Sequence, residues 1–203
     1  YQTNDNTHSY TAGRSNISNA EPHKLSHHFV KLDIKKFFDS ISEDFLRTSL
    51  YSLKEFAILQ IEDIDAFRSI RKAKGYYNAT KMFVDAVVDL AMYKKALPQG
   101  SPLSPVLSNI VMANFDVQLE HYTTLKQASK NKMIYTRYAD DLTLSSFKPI
   151  RLSKLIEEIK RLLENTPLRL HPDKVKYLKS NQRVFITGVK INLDETTIEN
   201  FEM

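Results

Sequence analysis

The stretch HFVKLDI, residues 28–34, alternates apolar and polar side chains and predicts a half-buried strand. A helical period follows. Ser40 and Glu43 stand at capping-box spacing, which predicts a helix over about 41–53 with Phe45, Leu46, Ser49, Leu50 and Leu53 on one face. Residues 55–72 and 79–95 predict two more helices, broken at Gly75-Tyr76-Tyr77-Asn78. Ser101-Pro102 predicts the start of a long helix, serine as N-cap and proline at the first helical position, running to about Tyr122. Alternation returns over 131–147 as a β-hairpin, and 151–165 is an amphipathic helix turning Leu152, Leu155, Ile156, Ile159, Leu162 and Leu163 inward. Residues 183–192 predict a final strand or hairpin, while the polar stretch 1–27 reads as loop with one short helix at Asn16–His23. No repeat or low-complexity linker interrupts this order. It predicts an α+β domain, an antiparallel sheet with helices packed on one side.

Composition narrows the function classes. The chain has 203 residues, 42% of them hydrophobic, enough for a sizeable core. It has no cysteine, which excludes disulfides and thiolate metal sites, and its six histidines lack the paired spacing of a zinc site. No apolar run approaches the ~20 residues that span a bilayer, so no membrane role is expected. The net charge of +5 is compatible with a polyanionic partner, but with no intensely basic block the charge alone favours an ordinary basic surface. The chain opens at Tyr1 rather than Met, which reads as a segment of a longer protein.

The stretch IYTRYADDLTLSS, 134–146, raises the chemical question. Asp140 and Asp141 stand side by side where the hairpin must turn, although like charges repel and raise each other's pKa. Asp33 ends the first strand; if the two elements are neighbours, three carboxylates meet at one sheet edge. Turn chemistry alone explains an Asp pair, since Asp favours turns. It does not explain Tyr138 before the pair or apolar strands on both sides. A divalent cation resolves the repulsion: Mg²⁺ takes oxygen ligands and is held by one or two carboxylates plus phosphates. Two such ions roughly 4 Å apart activate an attacking hydroxyl and stabilise a leaving pyrophosphate.

YADD between two apolar strands resembles the catalytic hairpin of reverse transcriptases. LDIKKFFDSI (32–41) is similar to their first catalytic motif, LPQGSPLSPVLSN (97–109) to their QGxxxSP loop and helix, and LHPDKVKYL (170–178) to the lysine-bearing segment after the hairpin. The four occur in family order across roughly residues 10–192, which makes the signal specific. Asn19-Ala20-Glu21-Pro22-His23 resembles the NAxxH element of the bacterial retron enzymes, and Val184-Phe185-Ile186-Thr187-Gly188 their VTG element, with Ile in place of Val. Group II intron enzymes share YADD and QGxxxSP, which makes them the main competitor to the retron reading.

The resemblance implies a role for each matching residue. Asp33 and Asp140 would bridge two Mg²⁺ ions, with Asp141 in support and Ile34 adding a backbone carbonyl. Phe38 would exclude a 2′-hydroxyl from the nucleotide pocket; the plain reading is that Phe37 and Phe38 are both core, and the expectation is Phe37 buried with Phe38 at the pocket. Gln99 and Gly100 would contact nucleotide and template, against the plainer reading of a loop leading into a helix. Tyr138 would lie in the minor groove near the primer end, or serve as a cross-strand aromatic. Lys174 would protonate the leaving pyrophosphate, with Lys176 as the alternative. Arg14 and Arg137 are candidate phosphate contacts. His23 reads as structural, because no mechanism of the family needs an imidazole.

The implied fold is a reverse transcriptase palm with partial fingers: 1–27 a fingers segment, 28–50 palm, 51–96 helical fingers or insertion, and 97–203 palm. The implied activity is RNA-directed DNA polymerisation from deoxynucleoside triphosphates on an RNA template, extending a DNA or RNA primer. The retron branch further implies a structured noncoding RNA partner, the bacterial cytoplasm and antiviral defence. An intron-type or abortive-infection-type polymerase, and a non-catalytic RNA-binding module that keeps the fold, are the alternatives. Basic fingers strands and a thumb are expected outside these residues.

Overall fold

Four strands carry the catalytic motifs. In the computed structural model, which describes residues 4–53, 76–128, 132–191 and 199–200, β1 (His28–Asp33) pairs antiparallel with β3 (Asp141–Ser146) on one side and β4 (Lys176–Lys179) on the other. β2 (Met133–Tyr138) closes the hairpin with β3, giving the order β2-β3-β1-β4. The register pairs Leu144 with Val30 and Tyr135, and Leu142 with Leu32 and Arg137, so these side chains share one face. All six are buried. That face is backed by helix α5 (Ser104–Ala128), whose Asp116 bonds to Tyr135 and Arg137. The antiparallel sheet backed by helices is the expected α+β architecture.

The opposite face is covered at one end by the segment before β1. Helix α1 (Asn16–Ala20) is capped by Ser15 and leads into a single 3₁₀ turn, Glu21–His23. Ala20 and Phe29 pack in one cluster with Val184, Ile186, Val189 and Ile191 of a second sheet. That sheet holds β5 (Val184–Ile186), β6 (Val189–Ile191) and β7 (Glu199–Asn200). Thr187 and Gly188 join β5 to β6 with φ of 47° and 82°, the two left-handed residues of a type I′ hairpin. Thr187 is not glycine, and its conformation is secured from α1: its hydroxyl donates to the Asn16 carbonyl at 3.4 Å and accepts from Asn19 Nδ2 at 3.3 Å.

Contacts divide the chain into two compact units. One holds Phe38–Val111; the other holds the residues up to Phe37 with those from Met112 onward. Residues 4–27 belong with the sheet, because residues 6–8 extend it: Thr7 forms a parallel bridge with Arg137, whose N–H donates to the Asn6 carbonyl at 2.7 Å.

Helix α2 (Phe37–Ser40) begins at the last residue before the division, and in the first unit α3 (Glu43–Tyr51) starts from Ser42. The expected cap at Ser40 is therefore displaced two residues, because Ser40 is still inside α2 and it is the Ser42 hydroxyl that accepts from the Phe45 N–H at 3.3 Å. Leu46 and Leu50 are the buried members of its expected apolar face. Helix α4 (Tyr76–Ala91) packs on α3, and Arg47 ties them by bonding both Glu43 and Asp85. The helix includes Tyr76–Asn78, expected as a break. The helix expected over 55–72 lies outside the described residues. Helix α5 starts two residues later than Ser101-Pro102 implies: the Ser101 hydroxyl accepts from the Leu103 N–H, and Ser104 turns its own hydroxyl onto the Pro98 carbonyl at 2.7 Å. In the second unit, α6 (Leu152–Leu163) buries Leu155, Ile159 and Leu163 as its amphipathic pattern requires.

Candidate active site

The strand register brings the three aspartates together. Asp33 ends β1 directly opposite Asp141, the first residue of β3, and Tyr138 ends β2 on the other side of Asp141. Asp140 occupies the two-residue turn with Ala139. Its carbonyl accepts from the Ile34 N–H at 3.1 Å, so the backbone after Asp33 is fastened to the turn itself. The chain continues outward along a short irregular ladder: His171 N–H to Asp33 carbonyl at 2.8 Å, Lys35 N–H to Arg169 carbonyl at 2.9 Å, and an isolated bridge between Ile34 and Leu170. This ladder sets the position of a 3₁₀ turn, Pro172–Lys174, whose last residue reaches back to the site. Lys174 Nζ lies 2.7 Å from Asp33 Oδ2, with the lysine side chain 54% exposed.

The electrostatics are those of crowded negative charge. Burial, then the nearby Asp33, push the Asp140 carboxyl above the usual range, against its own backbone hydrogen bond and Lys174. Burial and then Asp140 push Asp141 up, with Asp33 adding to it and Lys31 and Lys174 opposing. The hydrogen bond to Asp33 raises the Lys174 ammonium, assisted by the charges of all three aspartates. Lys174 therefore stands where a cation is demanded. Lys176, the alternative, is a residue of β4 directly opposite Lys31.

Oxygen donors with excess negative charge fit a hard divalent cation. Among the described residues, however, no three acidic or imidazole side chains are gathered into a ready-made cage. The fit is to an ion that keeps waters or takes phosphate oxygens alongside one or two carboxylates, as Mg²⁺ does.

Other expected site residues have different fates. Arg137 is not a phosphate contact: it is 0% exposed, and its guanidinium forks onto Asp116, itself 1% exposed, with Nη2–Oδ2 at 2.6 Å and Nε–Oδ1 at 2.8 Å. The register places Arg137 on the helix-backed face, away from the face of Asp33 and Asp141. Arg14 is engaged within its own segment, donating to the carbonyls of Asn4, Asp5 and Thr7 and pairing with the Asp5 carboxylate at 2.9 Å. That job organises the N-terminal loop and leaves no reason to assign it a phosphate. Phe38, Gln99 and Gly100 lie in the other unit. Phe37 is buried and Phe38 half-buried; Gln99 is exposed in a turn with Gly100, whose φ is +89°.

His23 is fully buried. Thr136 donates to the Asn19 carbonyl at 3.2 Å, so its oxygen receives the His23 Nε2–H at 2.8 Å. Nδ1 then accepts from Ser145 at 2.6 Å, and Ser26 closes the chain on Ser145 at 2.8 Å. Burial lowers the imidazole to about 3, with His8 adding to the effect, and the ring stays neutral. Three residues near the site escaped the sequence reading: Ser9, Tyr10 and Asp116. Asp116 had a signal, since it sits with Met112, Phe115 and Leu119 at the spacing of the buried helix stripe. Ser9 and Tyr10 had none, being polar loop residues far from the motifs in sequence.

The family model described as reverse transcriptase (RNA-dependent DNA polymerase) matches residues 2–191. The retron Mx162 reverse transcriptase of Myxococcus xanthus is 29% identical over 199 residues, covering 91% of this chain and 38% of the relative. The retron Ec83 reverse transcriptase of Escherichia coli is 29% identical over 185 residues, covering 90% and 53%. The chain thus spans about half or less of the length of these curated relatives. A solved structure of apo telomerase from Candida tropicalis aligns with a TM-score of 0.58 at 14% identity, covering 91% of this chain and 34% of that one. At that identity the likeness speaks for the fold alone.

Proposed function

The chain belongs to the reverse transcriptase family, and from that premise we propose that it carries the catalytic palm of an RNA-directed DNA polymerase of the retron type. The observation that carries the reading is the register pairing of Asp33 with Asp141, with Asp140 in the adjoining turn and the Lys174 ammonium on Asp33. The retron enzymes of M. xanthus and E. coli support the branch, together with the NAxxH-like and VTG-like segments.

Asp33 and Asp140 would hold two Mg²⁺ ions, with Asp141 in support and the Ile34 carbonyl as a further oxygen donor. When bound, the ions supply Lewis acidity to the attacking hydroxyl and the leaving group. The primer 3′-hydroxyl gives up its proton to solvent as O3′ bonds to the α-phosphorus of a deoxynucleoside triphosphate and the bond to pyrophosphate breaks in line. Lys174 moves from Asp33 to the departing phosphate and donates charge and a proton there. Phe38 excludes a 2′-hydroxyl, Gln99 and Gly100 meet the nucleotide and template, and Tyr138 meets the primer end. The partners are an RNA template, a DNA or RNA primer and a structured noncoding RNA, in the bacterial cytoplasm. Among the described residues no helix is long and apolar enough to cross a membrane.

The test is Asp140→Asn in the full-length protein, with primer extension on an RNA template as the readout. The substitution keeps shape and removes a ligand charge. Extension is expected to vanish while the unfolding midpoint holds or rises, since Asp140 is a crowded charge. Near wild-type extension sinks the metal assignment.

A further inference from the structure

Ala139 holds its backbone at φ 54°, a left-handed conformation uncommon for a residue with a Cβ. It is the residue before Asp140, so its torsions aim that carboxylate. Tyr10, the residue after Ser9, is strained in the same way, at φ 53°. Non-glycine residues persist there only when their surroundings over-determine them, and such residues cluster at functional sites.

The surroundings of Ala139 are polar, buried and short-ranged. Its N–H donates to the Ser9 hydroxyl at 2.6 Å. Its carbonyl accepts from Arg137 Nη1 at 3.0 Å. Arg137 is in turn fixed by Asp116, which also accepts from Tyr135 at 2.7 Å and from Thr7 at 3.0 Å. The Arg137 backbone is paired on both sides of Thr7: its N–H goes to the Asn6 carbonyl, and its carbonyl accepts from the His8 N–H at 2.9 Å. Ser9 and Asp116 are buried. The N-terminal strand-like segment and helix α5 therefore converge on one residue, Ala139, through the two peptide units that flank it and lead into Asp140.

We propose that Ser9, Arg137 and Asp116 are positioning residues of the active site, which clamp Ala139 by its N–H and its carbonyl and so set the direction of Asp140. The proposal rests on the polymerase reading above. It gives Arg137 a use that burial denies it as a phosphate contact. It also gives the segment 6–9 a part in the active site without any contact to substrate.

Ser9→Ala in the full-length protein removes one jaw of the clamp, and Ser26→Ala is its control. Ser26 is a buried serine bonded to Ser145, remote in register from the turn. Both variants lose a buried hydroxyl and are expected to lower the unfolding midpoint similarly. At saturating nucleotide and primer–template, well below either midpoint, Ser9→Ala is expected to lower kcat on the order of 10- to 100-fold, the scale of a small misplacement of a catalytic group. Its nucleotide KM should change less than its kcat, and Ser26→Ala should stay within about threefold of wild type in both. Backbone amide exchange gives a readout independent of chemistry: the Ala139 amide should lose protection in Ser9→Ala while the Leu144 amide keeps it. A wild-type kcat for folded Ser9→Ala, equal rate losses in the two serine variants, or unchanged exchange at Ala139 overturns the proposal. Because exchange needs no catalysis, it decides the clamp even if wild-type protein adds no nucleotide, a result that sinks the polymerase reading instead.

Discussion

Single residues carry the chemistry here, and their neighbours decide which of them are free to do so. Two arginines show the point. Both stand near catalytic motifs, and both are consumed by internal bonds, Arg14 by three carbonyls and Arg137 by Asp116. Lys174 is different, since it is more than half exposed and rests on a carboxylate that a cation can claim. Phe38 is half-buried beside a fully buried Phe37, which leaves part of its ring to face a ligand. Phe38→Val is expected to raise the ratio of ribonucleotide to deoxynucleotide incorporation efficiency by about tenfold or more, the scale of a lost steric contact. An unchanged ratio means that the discrimination lies elsewhere.

At the level of elements, one buried ion pair joins three parts of the fold. Asp116 comes from α5, Arg137 and Tyr135 from β2, and Thr7 from the segment that extends the sheet edge. Such a pair contributes little net stability relative to apolar packing, but breaking it strands a buried charge. Asp116→Asn keeps the shape and leaves the Arg137 guanidinium uncompensated, at a cost of about 3–5 kcal/mol. Denaturant unfolding measures it as a lower midpoint with the same slope. A loss under about 1 kcal/mol would mean that water or another group satisfies Arg137.

For the whole molecule, pH is the revealing variable. Folded His23 takes up a proton only near pH 3, against 6.5 for an exposed imidazole, because burial penalises its charged form. Between those values the unfolded chain binds a proton that the folded chain refuses. The stability from His23 is thus complete above pH 6.5 and is lost as pH falls toward 3, on the order of 5 kcal/mol in all. Buried His8, lowered to about 4 chiefly by burial, pulls in the same direction. Asp140 and Asp141 pull the other way, since their raised carboxyls are relieved by protonation. The difference between wild type and His23→Gln isolates the histidine. That difference should shrink by about 1.4 kcal/mol for each pH unit below 6.5. A difference independent of pH from 7 to 4 refutes the buried neutral ring.

Periodicity and spacing by themselves determined the α+β class, the hairpin around Asp140 and Asp141 and the amphipathic helix α6, and the resemblance of four ordered motifs pointed to the family. These are local properties: alternation, an apolar stripe and a short motif each fit inside one element. The same locality explains the small errors. Ser40 and Ser101 both read as helix caps, but which of several serines caps a helix depends on where the preceding turn ends, and that is set by packing. Strand β4 was hidden for a related reason, since KYLK is only four residues long and pairs at the sheet edge. Only the tertiary structure decided that Asp33 stands opposite Asp141, and that Lys174 rather than Lys176 reaches it. It alone decided that Arg137 points into the interior and that Ser9 holds Ala139. Asp33 and Lys174 are 141 positions apart, and Ser9 and Ala139 are 130 apart. No periodic pattern reaches that far; register and burial do, because a strand's pairing sends every side chain to one face or the other.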